Sequence, residues 1–241
     1  MNASVITDRL KRNSIPFHSE LPEKIGIYLN LLIEWNRHMD LTADTEEDEI
    51  LDRHFIDSLT VLRTGLLPAS GNLVDVGTGA GFPGLVLAMA CPELRVTLMD
   101  AQQKRLRFLD AVLQETGTGN ASTLHARAED AARNPLFREG FDVAAARALA
   151  PLNVLSEYLL PFVRVNGLAL CWKGPSLADE LDAGRRAAHL LGGRLEMPVQ
   201  CTVCGREWDH RILPVRKIQK TASAYPRKAG IPKAKPLGDN G

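Results

Sequence analysis

One stretch limits the possible folds more than any other: residues suited to a buried strand run directly into a glycine-rich turn, Leu73–Gly84. We call this stretch the glycine corner. Glycines occupy alternate positions after the strand, at Gly77, Gly79 and Gly81. They permit backbone angles that residues with a Cβ avoid, and they let a ligand approach the main chain closely. The following residues predict a helix over Leu85–Ala90. A strand, a glycine turn and a helix N-terminus are together typical of a nucleotide-type binding site.

Strands and helices alternate through the middle of the chain. Predicted strands occupy Leu73–Val76, Arg95–Met99, Ser122–His125, Phe141–Ala146 and Gly167–Trp172. Predicted helices occupy Leu85–Ala90, Gln102–Glu115, Leu152–Phe162 and Leu177–Leu190. This alternation predicts an α/β fold whose parallel sheet carries helices on both faces. Two further strands, Arg194–Val203 and His210–Val215, are predicted to meet at a turn at Gly205, so that the sheet ends in an antiparallel pair.

The residue pattern and composition change on either side of this region, which predicts three parts: residues 1–66, 67–220 and 221–241. The first predicts a helical extension, because apolar residues recur every three or four positions along Ile25–Met39 and Leu51–Leu62. An acidic run, Glu46–Glu49, precedes the second helix and would favour its N-terminus. The last part is rich in basic residues, proline and glycine, which predicts a basic, extended tail without regular structure.

Composition narrows the class of protein. Of the 241 residues, 45% are hydrophobic and 24% charged, as in ordinary globular proteins, and the net charge is zero. An anionic partner would therefore have to meet a local basic patch. No membrane span or secretory signal is apparent, so a cytoplasmic protein with reduced cysteines is expected. A monomer is expected, since nothing in the sequence demands an oligomer.

One cysteine pair has the spacing of half a zinc knuckle, Cys201 and Cys204. His210 is the only nearby additional ligand, which leaves the set short of the four that a structural zinc needs. No metal site is predicted, and the sequence assigns no role to the pair.

Two ligand classes compete for the glycine corner. Gly79, Gly81 and Gly84 match the dinucleotide fingerprint, but there the first glycine follows the strand directly. Here Gly77 holds that place, and Gly-x-Gly-x-Gly behind an acid-bearing strand is the pattern of S-adenosylmethionine sites. Asp100 ends the second strand, where an acid accepts hydrogen bonds from the ribose hydroxyls in either class. The structural alternatives are a tight turn without a ligand and a helix N-cap at Asp100.

The loop after the third strand, Ala128-Glu129-Asp130, lies at the same predicted edge of the sheet. Methyltransferase sites use this loop to meet the adenine edge, whereas a helix cap is the structural alternative. The antiparallel end of the sheet favours a methyltransferase over a dehydrogenase. No second glycine corner or catalytic histidine supports hydride transfer.

These features together resemble a known family. The run Asp75-Val-Gly-Thr-Gly-Ala-Gly-Phe-Pro-Gly84, with Asp100 and Lys104-Arg-Leu-Arg-Phe-Leu109, is similar to the bacterial 16S rRNA guanine-N7 methyltransferases, also called glucose-inhibited division protein B. Further matching pieces are Trp35-Asn36 with Leu41-Thr42, Arg53-His54 with Asp57-Ser58, Arg147-Ala148 and Tyr225-Pro-Arg-Lys-Ala-Gly230. Pro83 and Gly84 are the residues of this run that are most specific to the family, because methyltransferases in general do not share them. Asp40, in place of an asparagine, and the Cys201–Cys204 pair depart from the family pattern.

The resemblance implies a class I methyltransferase (Rossmann-like) fold with a helical N-terminal extension. It implies methyl transfer from S-adenosylmethionine to N7 of one guanine in the decoding region of 16S rRNA, with the small ribosomal subunit as partner. By position, it places cofactor contacts at Gly77, Phe82, Ala128, Glu129 and Arg147. The residues themselves add Gly79, Gly81 and Asp100, as argued above.

Guanine N7 carries a lone pair and no proton, so no catalytic base is predicted and catalysis would come mostly from alignment. Arg147 ends the fourth strand, where it would bind the cofactor carboxylate or an RNA phosphate. A salt bridge to Asp142 or Glu157 is the structural alternative for this arginine.

Phosphate contacts are expected from basic residues near the sheet and in the tail, namely Arg53, Lys173, Arg227 and Lys228. For Arg53, an internal ion pair with Asp57 one helical turn away is the alternative. Two other functions remain open on the sequence alone: a nicotinamide-dependent oxidoreductase, and a non-catalytic RNA-binding module that keeps the fold.

Overall fold

The computed structural model describes residues 1–239. Its helices are α1 (Ala3–Arg12), α2 (Leu21–Asn36), α3 (Glu47–Ile50), α4 (Asp57–Leu59), α5 (Gly84–Ala90), α6 (Gln103–Thr116), α7 (Ala128–Ala131), α8 (Leu152–Leu159), α9 (Leu177–Leu190) and α10 (Ile231–Ala234). Its strands are β1 (Gly71–Val76), β2 (Leu94–Asp100), β3 (Ala121–His125), β4 (Phe141–Arg147), β5 (Val163–Lys173), β6 (Gly193–Leu195), β7 (Val199–Cys201) and β8 (His210–Lys217). Within these residues, no helix is long and apolar enough to cross a membrane.

The strands form one sheet in the order β3-β2-β1-β4-β5-β8-β6, and β7 pairs with β8 beside β6. Neighbours from β3 to β5 run parallel, whereas β8 runs antiparallel to β5, β6 and β7. The predicted α/β fold, with a mostly parallel sheet and an antiparallel end, is therefore confirmed. The carboxyl ends of β1, β2, β4 and β5 lie along one rim, where parallel sheets bind ligands.

The predicted long strand over Arg194–Val203 is wrong, because the edge consists of two short strands. Leu195 pairs with Val215 and Val199 with Ile212, so the edge carries one residue more than β8 over this interval. That extra residue makes a bulge. Pro198 lies in the gap, where it offers no N–H to the ladder.

The sheet has two hydrophobic faces, since successive strand residues point to opposite sides. Leu73 of β1 belongs to a cluster with α1, α2, α5 and α6, and we call this side the N-terminal face. Val74 belongs to a second cluster with α8 and α9, against which Tyr225 and Leu237 of the tail also pack. We call that side the tail face. The N-terminal helices are thus part of the main core.

Both predicted N-terminal helices are present, although the second is irregular. Helix α2 ends at Asn36, whose side chain accepts the N–H groups of Leu41 and Thr42 at 2.8 and 3.0 Å and so folds the chain back. Acidic residues fill the first turn of α3, as predicted. A π-helical turn, Leu51–Ile56, then connects α3 to α4. Such turns contain one residue more than an α-helical turn and are frequent at functional sites.

The tail follows the tail face rather than extending into solvent. Arg138 donates to the carbonyls of Thr221 and Tyr225 at 2.8 Å each. Arg186 of α9 donates to the carbonyl of Gly238 at 2.7 Å. The tail was predicted to have no regular structure, which is wrong for the single helical turn α10. This turn tolerates Pro232 because the proline lies in the first turn of the helix.

Candidate active site

A cavity of about 610 Å³ opens at the carboxyl ends of β1, β4 and β5. Six of the predicted site residues line it: Gly77, Gly79, Phe82, Arg147, Arg53 and Lys173. Gly81, Asp100, Ala128, Glu129, Arg227 and Lys228 do not. Sequence reasoning assigned no role to several other lining residues, among them His54, Arg105, Trp172 and His210. Trp172 is 4% exposed, and its indole N–H has no hydrogen-bond partner in the described part of the chain.

The glycines of the corner have different roles. A Cβ at Gly81 would lie 2.2 Å from the Tyr28 hydroxyl oxygen, so this glycine makes room for helix α2. At Gly79, whose φ is +58°, a Cβ would find only the Gly77 carbonyl, at 3.9 Å. The main chain at Gly79 therefore faces open space, as close approach by a ligand requires.

The contacts of Gly84 show why the glycine corner ends in a glycine. Its N–H donates to Asp75 Oδ2 at 2.8 Å, and a Cβ there would lie 2.5 Å from the Cβ of Asp75. Asp75 Oδ2 also accepts the Thr78 hydroxyl at 2.7 Å, so this carboxylate closes the turn onto the strand. Asp75 is fully buried, and burial raises its pKa to about 6. Within the described residues Asp75 Oδ1 has no hydrogen-bond partner.

Asp100 holds the glycine corner against β2. Its Oδ2 accepts the Gly79 N–H at 3.0 Å, and its Oδ1 accepts the Gln102 N–H at 2.8 Å, next to the start of α6. The alternative of a helix N-cap at Asp100 is wrong, because Gln102 occupies the N-cap position of α6. The Arg105 guanidinium is 3.6 Å from Oδ2. Because a carboxylate has about four acceptor positions, capacity remains for hydroxyl groups.

Arg147 is held from the N-terminal face. It donates to the Arg53 carbonyl and to His54 Nδ1, each at 2.9 Å, and its Nη1 lies 3.5 Å from Asp57 Oδ2. The alternative of a salt bridge to Asp142 or Glu157 is wrong. Those carboxylates pair with Arg164 and Arg227 instead.

Phe82 lies at the centre of an aromatic group that joins the glycine corner to the N-terminal helices. Tyr28 stacks on it with ring centroids 5.4 Å apart, and His54 stacks at 5.0 Å. The Arg147 guanidinium is 5.0 Å from the Phe82 centroid. The Tyr28 hydroxyl, whose pKa burial raises, donates to the Ala80 carbonyl. The helical extension therefore builds part of the site.

The two basic residues predicted beside the sheet are only partly free. Arg53 donates to Glu49 at 2.9 Å and lies 3.7 Å from Asp44, so the alternative of an ion pair with Asp57 is wrong. Its guanidinium carbon lies 4.8 Å from the Trp208 ring. Lys173 is 2.5 Å from Glu180 Oε2 and donates to the Ala150 carbonyl at 3.2 Å.

The loop and tail residues predicted for the site do not line the cavity, and their hydrogen bonds are to other residues. Glu129, 5% exposed, accepts the Gly230 N–H at 2.9 Å. Glu157 is fully buried, and Arg227 donates to both of its oxygens. Lys228 is exposed. Ala128 begins α7 and packs toward the tail-face cluster.

The four cysteines are free thiols, with Cys201 buried and Cys204 exposed. Across residues 1–239 no group of three or more histidine, cysteine or acidic side chains is arranged to hold a metal ion.

The strand order and the glycine corner at its centre define a class I, Rossmann-like methyltransferase fold. Solved structures with this fold include an S-adenosylmethionine-dependent methyltransferase from Aquifex aeolicus, with a TM-score of 0.51 and 20% identity, covering 69% of this chain and 92% of that one. Aeropyrum pernix fibrillarin, solved with natively bound S-adenosyl-L-methionine, has a TM-score of 0.50 and 15% identity over 67% of this chain and 76% of that one.

The sequence itself places the chain in a family. The family model for rRNA small subunit methyltransferase G matches residues 22–207. Relatives named ribosomal RNA small subunit methyltransferase G include one from Alkaliphilus metalliredigens, 44% identical over 89% of this chain and 90% of the relative. Another, from Clostridium perfringens, is 41% identical over 92% of each chain. The chain belongs to the rRNA small subunit methyltransferase G family.

It is an S-adenosylmethionine-dependent enzyme that methylates ribosomal RNA. The alternatives of an oxidoreductase and of a non-catalytic RNA-binding module are set aside.

Proposed function

We propose that this protein transfers a methyl group from S-adenosylmethionine to N7 of a guanine in 16S rRNA, acting in the cytoplasm on the small ribosomal subunit. The observation that carries the proposal is the shared cavity. It brings the open main chain of Gly79, the cation Arg147 and the basic residues Arg53 and Lys173 together on one rim. Cofactor and nucleic acid would thus meet at one place.

The residues present fit the cofactor. The open side of Gly79 suits close passage of the amino-acid end of the cofactor. Arg147 suits its carboxylate. Asp100 retains acceptor capacity for the ribose hydroxyls.

The remaining cofactor contacts that we propose are to the main chain of Gly77 and Gly81, to Phe82, and to Ala128 and Glu129 at the adenine end. Ala128 and Glu129 follow β3 at the same sheet rim, which supports the adenine assignment. When bound, the cofactor supplies a methyl group on a positively charged sulfur.

The chain's own contribution to the reaction would be orientation. Guanine N7 needs no deprotonation, so the residues have only to place it in line with the methyl group and exclude water. Adenine also has a free N7, and the two bases differ beside it, where guanine has the O6 acceptor and adenine an amino donor. A donor at this position selects guanine, and Lys173 lies on the rim where the base would enter.

Contacts to RNA phosphates are proposed for Arg53 and for exposed Lys228. Arg227 is a weaker candidate than the sequence indicated, because its guanidinium is held by buried Glu157.

The test is methylation of small ribosomal subunits from a strain that lacks this modification, with S-adenosylmethionine carrying a labelled methyl group. We expect label in 16S rRNA, at a single guanine where borohydride and aniline cleave the strand, as they do at 7-methylguanosine. Naked 16S rRNA assayed in parallel reports whether the assembled subunit is required. Label at another atom, or at adenine, would contradict the N7 assignment.

A further inference from the structure

The contacts of Arg147 with the π-helical turn fix the orientation of its guanidinium. Its Nη1 donates to the Arg53 carbonyl and lies 3.5 Å from Asp57 Oδ2, and its Nη2 donates to His54 Nδ1. An arginine has five N–H donors, so this arrangement uses some of them and leaves others for a ligand. The Asp57 carboxylate is itself fixed by a hydrogen bond from His210 at 2.9 Å.

The partners of His54 determine its tautomer. Arginine only donates hydrogen bonds, so His54 Nδ1 must present its lone pair to Arg147. The ring proton is then on Nε2, which lies 2.9 Å from both Thr42 Oγ1 and Asp44 Oδ2. Burial, with nearby Arg147 and Arg53, lowers the pKa of His54 to about 3, in agreement with a neutral ring. The contact with Asp44 is therefore a hydrogen bond rather than an ion pair.

Stacking restricts the same ring further. His54 lies against Phe82, with 5.0 Å between centroids and 27° between planes, and the Arg147 guanidinium carbon is 5.0 Å from the Phe82 centroid. Histidine and arginine are thus held against one aromatic side chain. Little freedom remains for either without loss of a contact.

We propose that His54 is a positioning residue, which acts through its Nδ1 lone pair to aim the guanidinium of Arg147 at the carboxylate of the cofactor. The inference rests on the proposed contact between Arg147 and that carboxylate. It gives the helical extension a defined chemical task, because His54 and Asp57 both come from this part of the chain.

Two amide substitutions separate the contacts of His54. Asparagine places its amide oxygen where Nδ1 lies, so His54→Asn keeps an acceptor for Arg147. Glutamine places its amide group near the position of Nε2, so His54→Gln keeps the contacts with Thr42 and Asp44 and removes the acceptor. Calorimetric binding of S-adenosylhomocysteine should weaken about tenfold in His54→Gln, as expected for loss of one charged hydrogen bond, and by less than about threefold in His54→Asn.

A truncated ligand distinguishes positioning from a general structural effect. 5′-Methylthioadenosine lacks the amino-acid end, so both variants should bind it as tightly as the wild-type protein. Equal weakening of both ligands, or wild-type affinity for S-adenosylhomocysteine in His54→Gln, would overturn the inference. If the wild-type protein itself binds no S-adenosylhomocysteine, the proposed cofactor site fails as well, which separates the two failures.

A measurement on the wild-type protein decides the matter if the variants do not fold. Long-range proton–nitrogen NMR spectra of ¹⁵N-histidine-labelled protein report which ring nitrogen carries the proton. At pH 7 we expect His54 to be neutral with its proton on Nε2. A proton on Nδ1, or a charged ring, is incompatible with donation from Arg147.

Discussion

The N-terminal helices and the C-terminal tail cover opposite faces of the sheet, and their polar contacts have opposite chemistry. On the N-terminal face, the helices offer acceptors to a cation of the sheet, as His54 and Asp57 do to Arg147. On the tail face, the tail offers donors to carboxylates, as Arg227 does to Glu157 and the Gly230 N–H does to Glu129.

The comparison distinguishes two kinds of contact: those of Arg147, which leave donors for a ligand, and the pairing of Arg227 with Glu157, which stabilises the fold. Arg147 lines the cavity and keeps donors to spare. Glu157 is fully buried, and its two oxygens are taken up by Arg227. A basic residue in the tail is therefore not by itself an RNA contact.

Arg227→Met should cause the largest loss. It removes the guanidinium from the buried Glu157 carboxylate, which keeps the main-chain N–H of residue 227 as a donor at 2.7 Å. Loss of a buried charge partner typically costs about 3 kcal/mol or more in the free energy of unfolding. Urea unfolding followed by circular dichroism measures the change. Lys228→Met is the matched control, because this neighbouring lysine is exposed, and it should stay within about 0.5 kcal/mol of wild type. Similar values for the two variants would remove the distinction between the tail residues.

Because the pKa of Asp75 is raised in the folded protein, we expect this residue of the N-terminal face to make the free energy of unfolding depend on pH. Its folded-state pKa of about 6 lies above the ordinary value of 3.8, so its contribution to stability is fully present below pH 3.8 and is lost as pH rises through 6. Asp75→Asn removes this titration. The free energy of unfolding of the variant relative to wild type should therefore increase between pH 4.5 and 7.5, with a slope of at most roughly 1.4 kcal/mol per pH unit. A difference independent of pH would contradict this.

Tyr28→Phe tests the attachment of helix α2 to the glycine corner. It removes the hydroxyl that donates to the Ala80 carbonyl and should cost about 1 kcal/mol in the free energy of unfolding. Tyr158→Phe is a suitable control, because the Tyr158 hydroxyl makes no hydrogen bond within the described residues. Affinity for S-adenosylhomocysteine should also fall in Tyr28→Phe, since the lost hydrogen bond holds Ala80 of the glycine corner. Unchanged stability would show that the hydroxyl is dispensable.

Lys228→Ala should leave the fold intact and change only RNA binding. If Lys228 contacts a phosphate, the slope of log affinity against log salt concentration should fall by about one. Filter binding of 16S rRNA fragments across a salt series measures the slope. A slope equal to that of wild type would exclude this lysine from the interface.

The features that could be predicted from the sequence depend on residues that are close together in the chain. The contacts of the glycine corner join residues that are close in sequence: the Gly84 N–H meets Asp75 nine positions earlier, and Thr78 meets it at three. Strand and helix alternation follows from periodicity over short windows. The glycine turn after a strand, the position of Asp100 at a strand end and the parallel sheet with an antiparallel end were therefore predictable from the residues.

The features that could not be predicted are contacts between side chains that are far apart in the sequence. Arg147 and His54 are 93 positions apart, and Arg227 and Glu157 are 70 apart. A single sequence contains no signal that matches one arginine to one distant acceptor. Arg147 was placed at the rim by its position after a strand, but its partners were not, and Arg227 has the local composition of a solvated tail.

The sequence separations also have a consequence for the making of the protein. A ribosome translates Glu157 and Glu129 long before it reaches Arg227 and Gly230, so both carboxylates are synthesised ahead of the donors that satisfy them. The order is the same on the other face, where the π-helical turn precedes Arg147. Closing such long loops is slow relative to local folding. Both faces of the sheet are therefore completed late, and a chain that ends before residue 227 lacks the guanidinium that pairs with Glu157.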